Sequence, residues 1–315
     1  MKILVVGGAG FIGHNVVSML EDEGHSCAIL DNCTDYGILD RAEHDKLIAE
    51  RMERVNAELH RGSIEDKGDV LRVFAKFQPD VVMHLASFPR AKIVNTNPLW
   101  GREVMIDGTE NLLEAAALYN VKRFMYVSSS MIYGDFDGGI KETGDKKPGS
   151  LYATYKLAGE QLTQWFAEKA GFEWSVVRPS AVYGPRDVED RVVSKFFANA
   201  TNDSILHVNG SQERLDFSHV SDVARGMVLA ATHPAAANEA FNITRGEDEL
   251  ILTAARLVQG MVGKGEVKIR PRDMSMPSRG FLSVNKASRL LGYKPMVNIQ
   301  EGFQDYYDWI KSHTV

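Results

Sequence analysis

The sequence predicts an α/β fold: a doubly wound parallel sheet with helices on both faces, followed by a smaller C-terminal lobe. Three observations lead there. Short apolar runs alternate with helical segments from residue 1 to residue 178, and such alternation implies right-handed crossovers between parallel strands. The first of these runs leads at once into a glycine-rich turn and a helix. Beyond Val182 the alternation loosens into short pieces, which predicts a substrate-binding lobe built from loops.

Taken in order, Met1 to Val6 is rich in β-branched residues and reads as a buried strand, with no room before it for a signal peptide. Gly7-Gly8-Ala9-Gly10-Phe11-Ile12-Gly13 then forms the turn, and the amphipathic segment Val16 to Glu23 is a helix that stops at Gly24. Gly7 allows the tight turn, Gly10 lets the backbone approach a pyrophosphate, and Gly13 lets the helix pack close to the strand. Amide groups at the helix start are placed to bind phosphates. A second strand, Ser26 to Leu30, ends in Asp31-Asn32, with Asp31 lying 18 residues beyond Gly13. A carboxylate there accepts both hydroxyls of an adenosine ribose and repels a 2′-phosphate, so the expected cofactor is NAD rather than NADP.

Further strands are expected at Glu58 to Arg61, Val81 to Leu85, Phe124 to Ser128 and Trp174 to Arg178. The helices between them are Arg41 to Val55, Gly68 to Phe77, Trp100 to Tyr119 and Tyr152 to Ala170. Arg41 to Val55 is highly charged, but its signs are mixed and Leu47, Ile48 and Met52 have helical spacing, which describes a solvated surface helix. Later, Pro185-Arg186-Asp187, Asn199 to Ser204, Gly210-Ser211 and Pro271 to Gly280 interrupt the pattern. The expected division is a dinucleotide-binding domain over 1–177, joined by part of 214–235, and a lobe over 178–315 that mainly grips the substrate.

Composition agrees. A chain of 315 residues, 44% hydrophobic, can bury a large core. A net charge of −6 gives no reason to expect nucleic acid, and no apolar run reaches the roughly 18 residues of a membrane span. Cys27 and Cys33 lie on or just after a buried strand, so reduced thiols and a cytoplasmic location are expected.

The chemistry is carried by Tyr152-Ala-Thr-Tyr-Lys156, with Ser128-Ser129-Ser130 upstream. On a helix, residues four apart share a face, so the phenol of Tyr152 and the ammonium of Lys156 can sit side by side. A tyrosine titrates near 10, and making it a phenolate at neutral pH takes roughly 3 units, or about 4 kcal/mol. A lysine cation in a site that excludes water is one source of it. The phenolate accepts the proton of a substrate alcohol while the carbon-bound hydrogen leaves as hydride, and Ser129 or a neighbour would hydrogen-bond the same oxygen.

These segments, with His84-Leu-Ala86, Tyr133-Gly134, Arg178-x-x-x-x-Tyr183-Gly-Pro185, Asp216-Phe217-x-His219-Val-x-Asp222-Val223, Lys286-Ala287 and Leu291-Gly292-Tyr-x-Pro295, resemble the extended short-chain dehydrogenase/reductases. Within them the chain is similar to the NAD-dependent nucleotide-sugar epimerases and dehydratases. The resemblance implies a Rossmann-type domain, a nucleoside diphosphate sugar as substrate, and a homodimer paired through the helices at Trp100 to Tyr119 and Tyr152 to Ala170. Leu157, Leu162, Trp165 and Phe166 are candidates for that seam. It implies Ser129, Tyr152 and Lys156 as the catalytic residues. Cofactor contacts are expected from Gly7, Gly10, Phe11, Ile12, Gly13, Asp31, Asn32, Ser63, Ile64, Leu85, Ala86, Ser87, Ser128, Tyr152, Lys156 and Arg178. Substrate contacts are expected from Lys92, Ser130, Ala181, Arg186, Arg214 and Arg279, with Arg270 and Arg272 as further candidates, since a planar guanidinium binds two phosphate oxygens at once. His84, His207 and His219 lack metal-site spacing, and no metal is expected.

The subclass follows residue by residue. Counting back from Tyr133-Gly134, Ser130 and Met131 fall where sugar 4,6-dehydratases typically carry Asp and Glu. Methionine cannot remove a proton, which argues against that dehydration and against the related decarboxylation of UDP-glucuronate. A 4-epimerase needs no extra acid or base: it oxidises carbon 4, lets the 4-keto sugar turn over, and returns the hydride to the other face. The leading expectation is therefore a 4-epimerase. The alternatives are a 4-dehydrogenase, a dehydratase or a 3,5-epimerase, and, in another class, a non-catalytic regulator that only binds NAD. Departures from the family pattern are Ala181 in place of Asn, which removes a side-chain contact to the nucleotide sugar, Leu215 in place of Arg, Met105 in place of Asn and Ser63 in place of Asp. The nucleotide, the sugar and the product stereochemistry are left open.

Overall fold

The structure is a computed structural model that describes residues 1–187, 191–274 and 276–313. The first half runs β1 (Lys2–Val6), α1 (Gly13–Asp22), β2 (Ser26–Asp31), α2 (Arg41–Met52), β3 (Glu58–Arg61), α3 (Lys67–Phe77), β4 (Val81–His84), α4 (Ala91–Thr96), α5 (Pro98–Arg102), α6 (Gly108–Leu118), β5 (Arg123–Val127), α7 (Leu151–Ala170) and β6 (Glu173–Arg178). The second half continues β7 (Val182–Tyr183), α8 (Val192–Thr201), β8 (Ile205–Asn209), β9 (Arg214–Leu215), β10 (Ser218–His219), α9 (Val220–Thr232), β11 (Glu239–Asn242), β12 (Glu249–Leu250), α10 (Ile251–Val262), β13 (Glu266–Arg270), α11 (Asn285–Leu291) and α12 (Ile299–His313).

Seven strands form one parallel sheet in the order β11-β6-β5-β4-β1-β2-β3. The order reverses at β1, which lies between β4 and β2, so a crevice opens at the carboxyl ends of these strands, where such sheets bind ligands. The central strands bury both faces: Ile3, Leu4, Val5 and Val6 are all fully buried, each contributing roughly 1.5–3 kcal/mol of apolar transfer. One face packs against α1 and α9 and the other against α3, α6 and α7. Local signals set the helix ends. Asp40 caps α2 by accepting from Glu43 N, Ser150 caps α7 by accepting from Ala153 N, and Gly171 ends α7 with a φ of +81°.

Two expectations need correction. The single helix expected over Trp100 to Tyr119 is α5, one turn of π-helix at Glu103–Asp107, and α6. The wide turn brings Gly108 so close to the strand layer that a Cβ would lie 2.6 Å from Ile64 Cγ1, and it buries Met105 beside Phe88 and Val94; such turns cannot be read from periodicity. The C-terminal lobe is also more regular than a set of loops. Helix α8 runs through Thr201 because Val193, Phe196, Phe197 and Ala200 form one buried stripe. That stripe packs against α10 and against Phe303 and Tyr306 of α12.

Both cysteines are free, and burial pushes the Cys27 thiol up to about 12 and the Cys33 thiol up to about 11. Among the described residues no helix is long and apolar enough to cross a membrane.

Candidate active site

Gly7 and Gly13, in the turn between β1 and α1, have no room for side chains. A Cβ on Gly7, whose φ is +86°, would sit 2.6 Å from Ala86 N, and one on Gly13 would sit 2.1 Å from Gly7 O. Ile12, at the start of α1, makes no side-chain cap hydrogen bond; His14 N donates to Gly10 O, and a helix start of this kind offers its remaining amides to an anion. Asp31 ties the turn to the end of β2: Ala9 N donates to its Oδ2 at 3.0 Å and Cys33 N donates to its Oδ1 at 2.8 Å. A turn with glycine at its close approaches, beside a fixed, cleft-lining carboxylate, is the donor set that a pyrophosphate and an unphosphorylated ribose require, so the residues present fit NAD.

At the other end of the same cleft, Ser129 follows β5, and Tyr152 and Lys156 stand one turn apart on α7. Ser129 Oγ accepts from Met131 N at 3.2 Å, and Ser129 favours the ionised form of Tyr152. Lys156 is buried and donates Nζ to Val127 O at 2.7 Å, with its nitrogen 5.9 Å from the centre of the Tyr152 ring. The electrostatics differ from the sequence expectation. Burial raises Tyr152 above its ordinary value; the Arg191 charge, the Ser129 hydrogen bond and the Arg279 charge offset this only in part. Burial also brings Lys156 down to about 7, against a partial pull upward from Glu160. The lysine is held by a backbone carbonyl and half discharged near pH 7, so in this state the phenol keeps its proton.

Most of the expected contacts line this one cleft, which encloses about 930 Å³, the upper end of a single-ligand pocket. Gly7, Gly10, Phe11, Ile12, Gly13, Asp31, Asn32, Ile64, Leu85, Ala86, Ser87 and Ser128 line its cofactor half, and Lys92, Ser130, Ala181, Arg214 and Arg279 also line it. Three expected residues do not. Arg178 is buried against Glu160 and also donates to Tyr133 Oη and Glu142 O, so its fork is filled by the protein's own acceptors. Arg186 turns aside to Glu50, with Nε 2.8 Å from Oε1. Ser63 closes on its own strand–helix turn, donating N to Asp69 Oδ2 and Oγ to Glu65 Oε2.

Other cleft residues carried no local signal. Arg51, on the helix read as a solvated surface element, is buried and donates to Ala9 O and Arg186 O, bridging segments far apart in sequence. Arg191 lies over the Phe11 ring at 5.1 Å and Phe88 meets Trp100 edge-on at 4.7 Å. Arg214 pairs with Asp248 and Arg272 with Glu213, each at 3.1 Å, while Arg270 Nη2 donates to His207 Nε2 at 2.6 Å. His84 is buried, brought down to about 3 by burial, and donates Nε2–H to Thr109 Oγ1. Its ring is therefore neutral at neutral pH and only a weak base. His219 caps α9 and faces Asp305 at 3.2 Å. Among the described residues no group of three or more potential ligands could hold a metal ion.

The sequence profile of the NAD dependent epimerase/dehydratase family matches residues 3–244. A putative UDP-glucose 4-epimerase of Methanocaldococcus jannaschii is 29% identical over 99% of both chains. A dTDP-glucose 4,6-dehydratase of Escherichia coli is 28% identical over 100% of this chain and 94% of its own. In three dimensions the chain is similar to the Thermus thermophilus UDP-glucose 4-epimerase in complex with NAD, at 29% identity, a TM-score of 0.86 and full coverage of both chains.

Proposed function

The chain belongs to the NAD-dependent epimerase/dehydratase family, and from that premise we propose that it is a nucleotide-sugar 4-epimerase that works through a transient 4-keto sugar with internal return of the hydride. Its cofactor is NAD. The observation that carries the reading is the company of Tyr152. Ser129, Arg191 and Arg279 all favour the ionised form of the phenol, and the neighbouring position where a dehydratase needs a carboxylate is the buried Met131. One acid–base group that takes a proton and gives it back is what epimerisation at a single carbon requires.

When bound, NAD supplies the hydride acceptor and the cationic ring whose charge adds to that of the arginines. Tyr152 then takes the proton of the carbon-4 hydroxyl, and Ser129 holds that oxygen as it becomes a carbonyl. Lys156, tethered to Val127 O, keeps a positive charge one turn along α7 whenever it is protonated. After the keto sugar has turned over, Tyr152 returns the proton as the hydride returns to the opposite face. Asp31, the glycine turn and the rest of the cofactor half hold NAD across cycles. Lys92, Ser130, Ala181, Arg214 and Arg279 are assigned to the nucleotide sugar. The domain division expected above, 1–177 with part of 214–235 against 178–315, is kept as part of this proposal.

The protein works as a homodimer in this reading. Leu157, Leu162 and Phe166 of α7 pack partly inside the chain. Trp165, 55% exposed on α7, and Leu118, 65% exposed at the end of α6, remain for a partner.

Proton NMR of UDP- and dTDP-sugars in heavy water, with purified protein and no added cofactor, tests the proposal. Inversion at carbon 4 without deuterium uptake, absent in Tyr152→Phe, supports it. A persistent keto sugar, or deuterium beside the carbonyl carbon, assigns the protein to a reaction that releases or enolises the intermediate.

A further inference from the structure

Among the described residues, Arg279 is a cleft cation with no carboxylate partner. It arrives from the segment after β13 and donates Nη1 to Ser130 Oγ at 3.3 Å. Its Nε is buried with no acceptor, and among the described residues no carboxylate lies within ion-pair distance of it. Three other cleft arginines differ: Arg191 pairs with Asp187, Arg214 with Asp248 and Arg272 with Glu213. Burial brings Arg279 down only to about 10, so it stays charged at neutral pH. A charge drawn largely out of water is costly unless an anion meets it, and the described residues provide none.

The position of Arg279 says where on the ligand that anion belongs. Its charge and the Tyr152 phenol act on each other directly, and Ser130, which fixes the guanidinium, is the residue after Ser129 and is itself buried and bonded to Ser180. In the reading proposed above, the Tyr152 phenol marks carbon 4 of the sugar. The diphosphate hangs from carbon 1, on the far side of the ring. The group beside carbon 4 that can carry a full negative charge is the exocyclic carbon on carbon 5, once oxidised to a carboxylate.

Resting on the 4-epimerase reading, we infer that the substrate is a nucleoside diphosphate hexuronate whose carboxylate is bound by Arg279 beside Ser130. A guanidinium suits this task because its planar fork can meet both carboxylate oxygens. Arg279 is then the residue that separates an acidic sugar from its neutral counterpart.

The test compares three ligands on the NAD-loaded protein: a nucleoside diphosphate, its glucose ester and its glucuronate ester, using UDP or dTDP, whichever binds more tightly. Wild type should hold the glucuronate about ten- to a hundredfold more tightly than the glucose ester. Arg279→Gln should erase that preference while leaving the affinity for the bare nucleotide unchanged, and Arg279→Lys should keep part of it. Equal affinity for the two sugars in wild type overturns the inference. So does an Arg279→Gln variant that loses the bare nucleotide as severely as the glucuronate, since that marks a diphosphate contact. NMR of the same mixtures separates the two levels. A preferred glucuronate that is not inverted at carbon 4 leaves the inference standing and removes the epimerase reading; inversion of the glucose ester with no preference for glucuronate does the reverse.

Discussion

Arg178 and Glu160 form a two-pronged buried ion pair, with Nε 2.9 Å from Oε1 and Nη2 2.7 Å from Oε2, that locks helix α7, which carries Tyr152 and Lys156, to strand β6. Glu160 is one turn beyond Lys156 and favours the lysine's charged form. The pair thus fixes both the place and the charge of the proton-handling end of the cleft. Its role is positioning, although its sequence context had suggested a cofactor contact.

Breaking one half of this pair leaves a buried charge unmatched. Arg178→Met is expected to destabilise the protein by about 3–5 kcal/mol, whereas Arg178→Met with Glu160→Leu recovers much of that loss. Urea unfolding of the two variants checks it. A single variant as stable as wild type contradicts the structural role.

Lys156 trades stability for chemistry. Its proton is held up to about 7 in the folded chain, against 10.5 when unfolded. Below about pH 7 both states are protonated and the folded state bears the full cost of the buried charge. Between about 7 and 10.5 the folded state sheds its proton first, so wild-type stability rises with pH. Lys156→Met, in cofactor-free protein, should therefore be the more stable at pH 6, by on the order of 2 kcal/mol, with the gap closing toward pH 10. A variant less stable than wild type at pH 6 would sink this account.

Two neutral histidines shape the acid limb. His14 donates Nδ1–H to Gly10 O at 2.9 Å, and burial brings both it and His84 down to about 3 from 6.5. As pH falls below 6.5 the unfolded chain takes up protons that the folded chain refuses, so stability present above 6.5 is lost toward 3. By pH 5 each histidine should account for about 2 kcal/mol of that loss. His14→Gln with His84→Gln should flatten the dependence between pH 7 and 5, even if it lowers the starting stability. An unchanged slope would show that these rings charge in the folded state.

Ala181 lines the cleft with a φ of +32°, a region that asparagine occupies more readily than alanine. Ala181→Asn is expected to raise stability by up to about 1 kcal/mol and to tighten nucleotide-sugar binding, read by thermal unfolding and by titration. A loss in both would mean that the small side chain is there to make room.

The parallel sheet and the cofactor half of the cleft were legible because their signals are local. Gly7, Gly10, Gly13 and Asp31 act within one strand–turn–helix–strand unit, and Tyr152 and Lys156 within one helical turn. What could not be read depends on distant segments meeting. Arg178 finds Glu160, Tyr133 and Glu142 only after β6 is laid against α7, and Arg51 reaches Ala9 and Arg186 across the top of the sheet. The electrostatic setting of Tyr152 depends on distant segments in the same way. Spacing put the lysine within range, but packing gave its ammonium to Val127 O, and burial then outweighed the charges around the phenol.

The central claim is that one hydride leaves carbon 4 and returns to it within one active site. It is tested most directly by incubating the holoenzyme with a nucleotide sugar deuterated at carbon 4, together with unlabelled sugar of different mass. The account predicts that the inverted product keeps its deuterium, with none in water and none on the unlabelled partner. Deuterium washed into solvent, or carried to the other sugar, would contradict it.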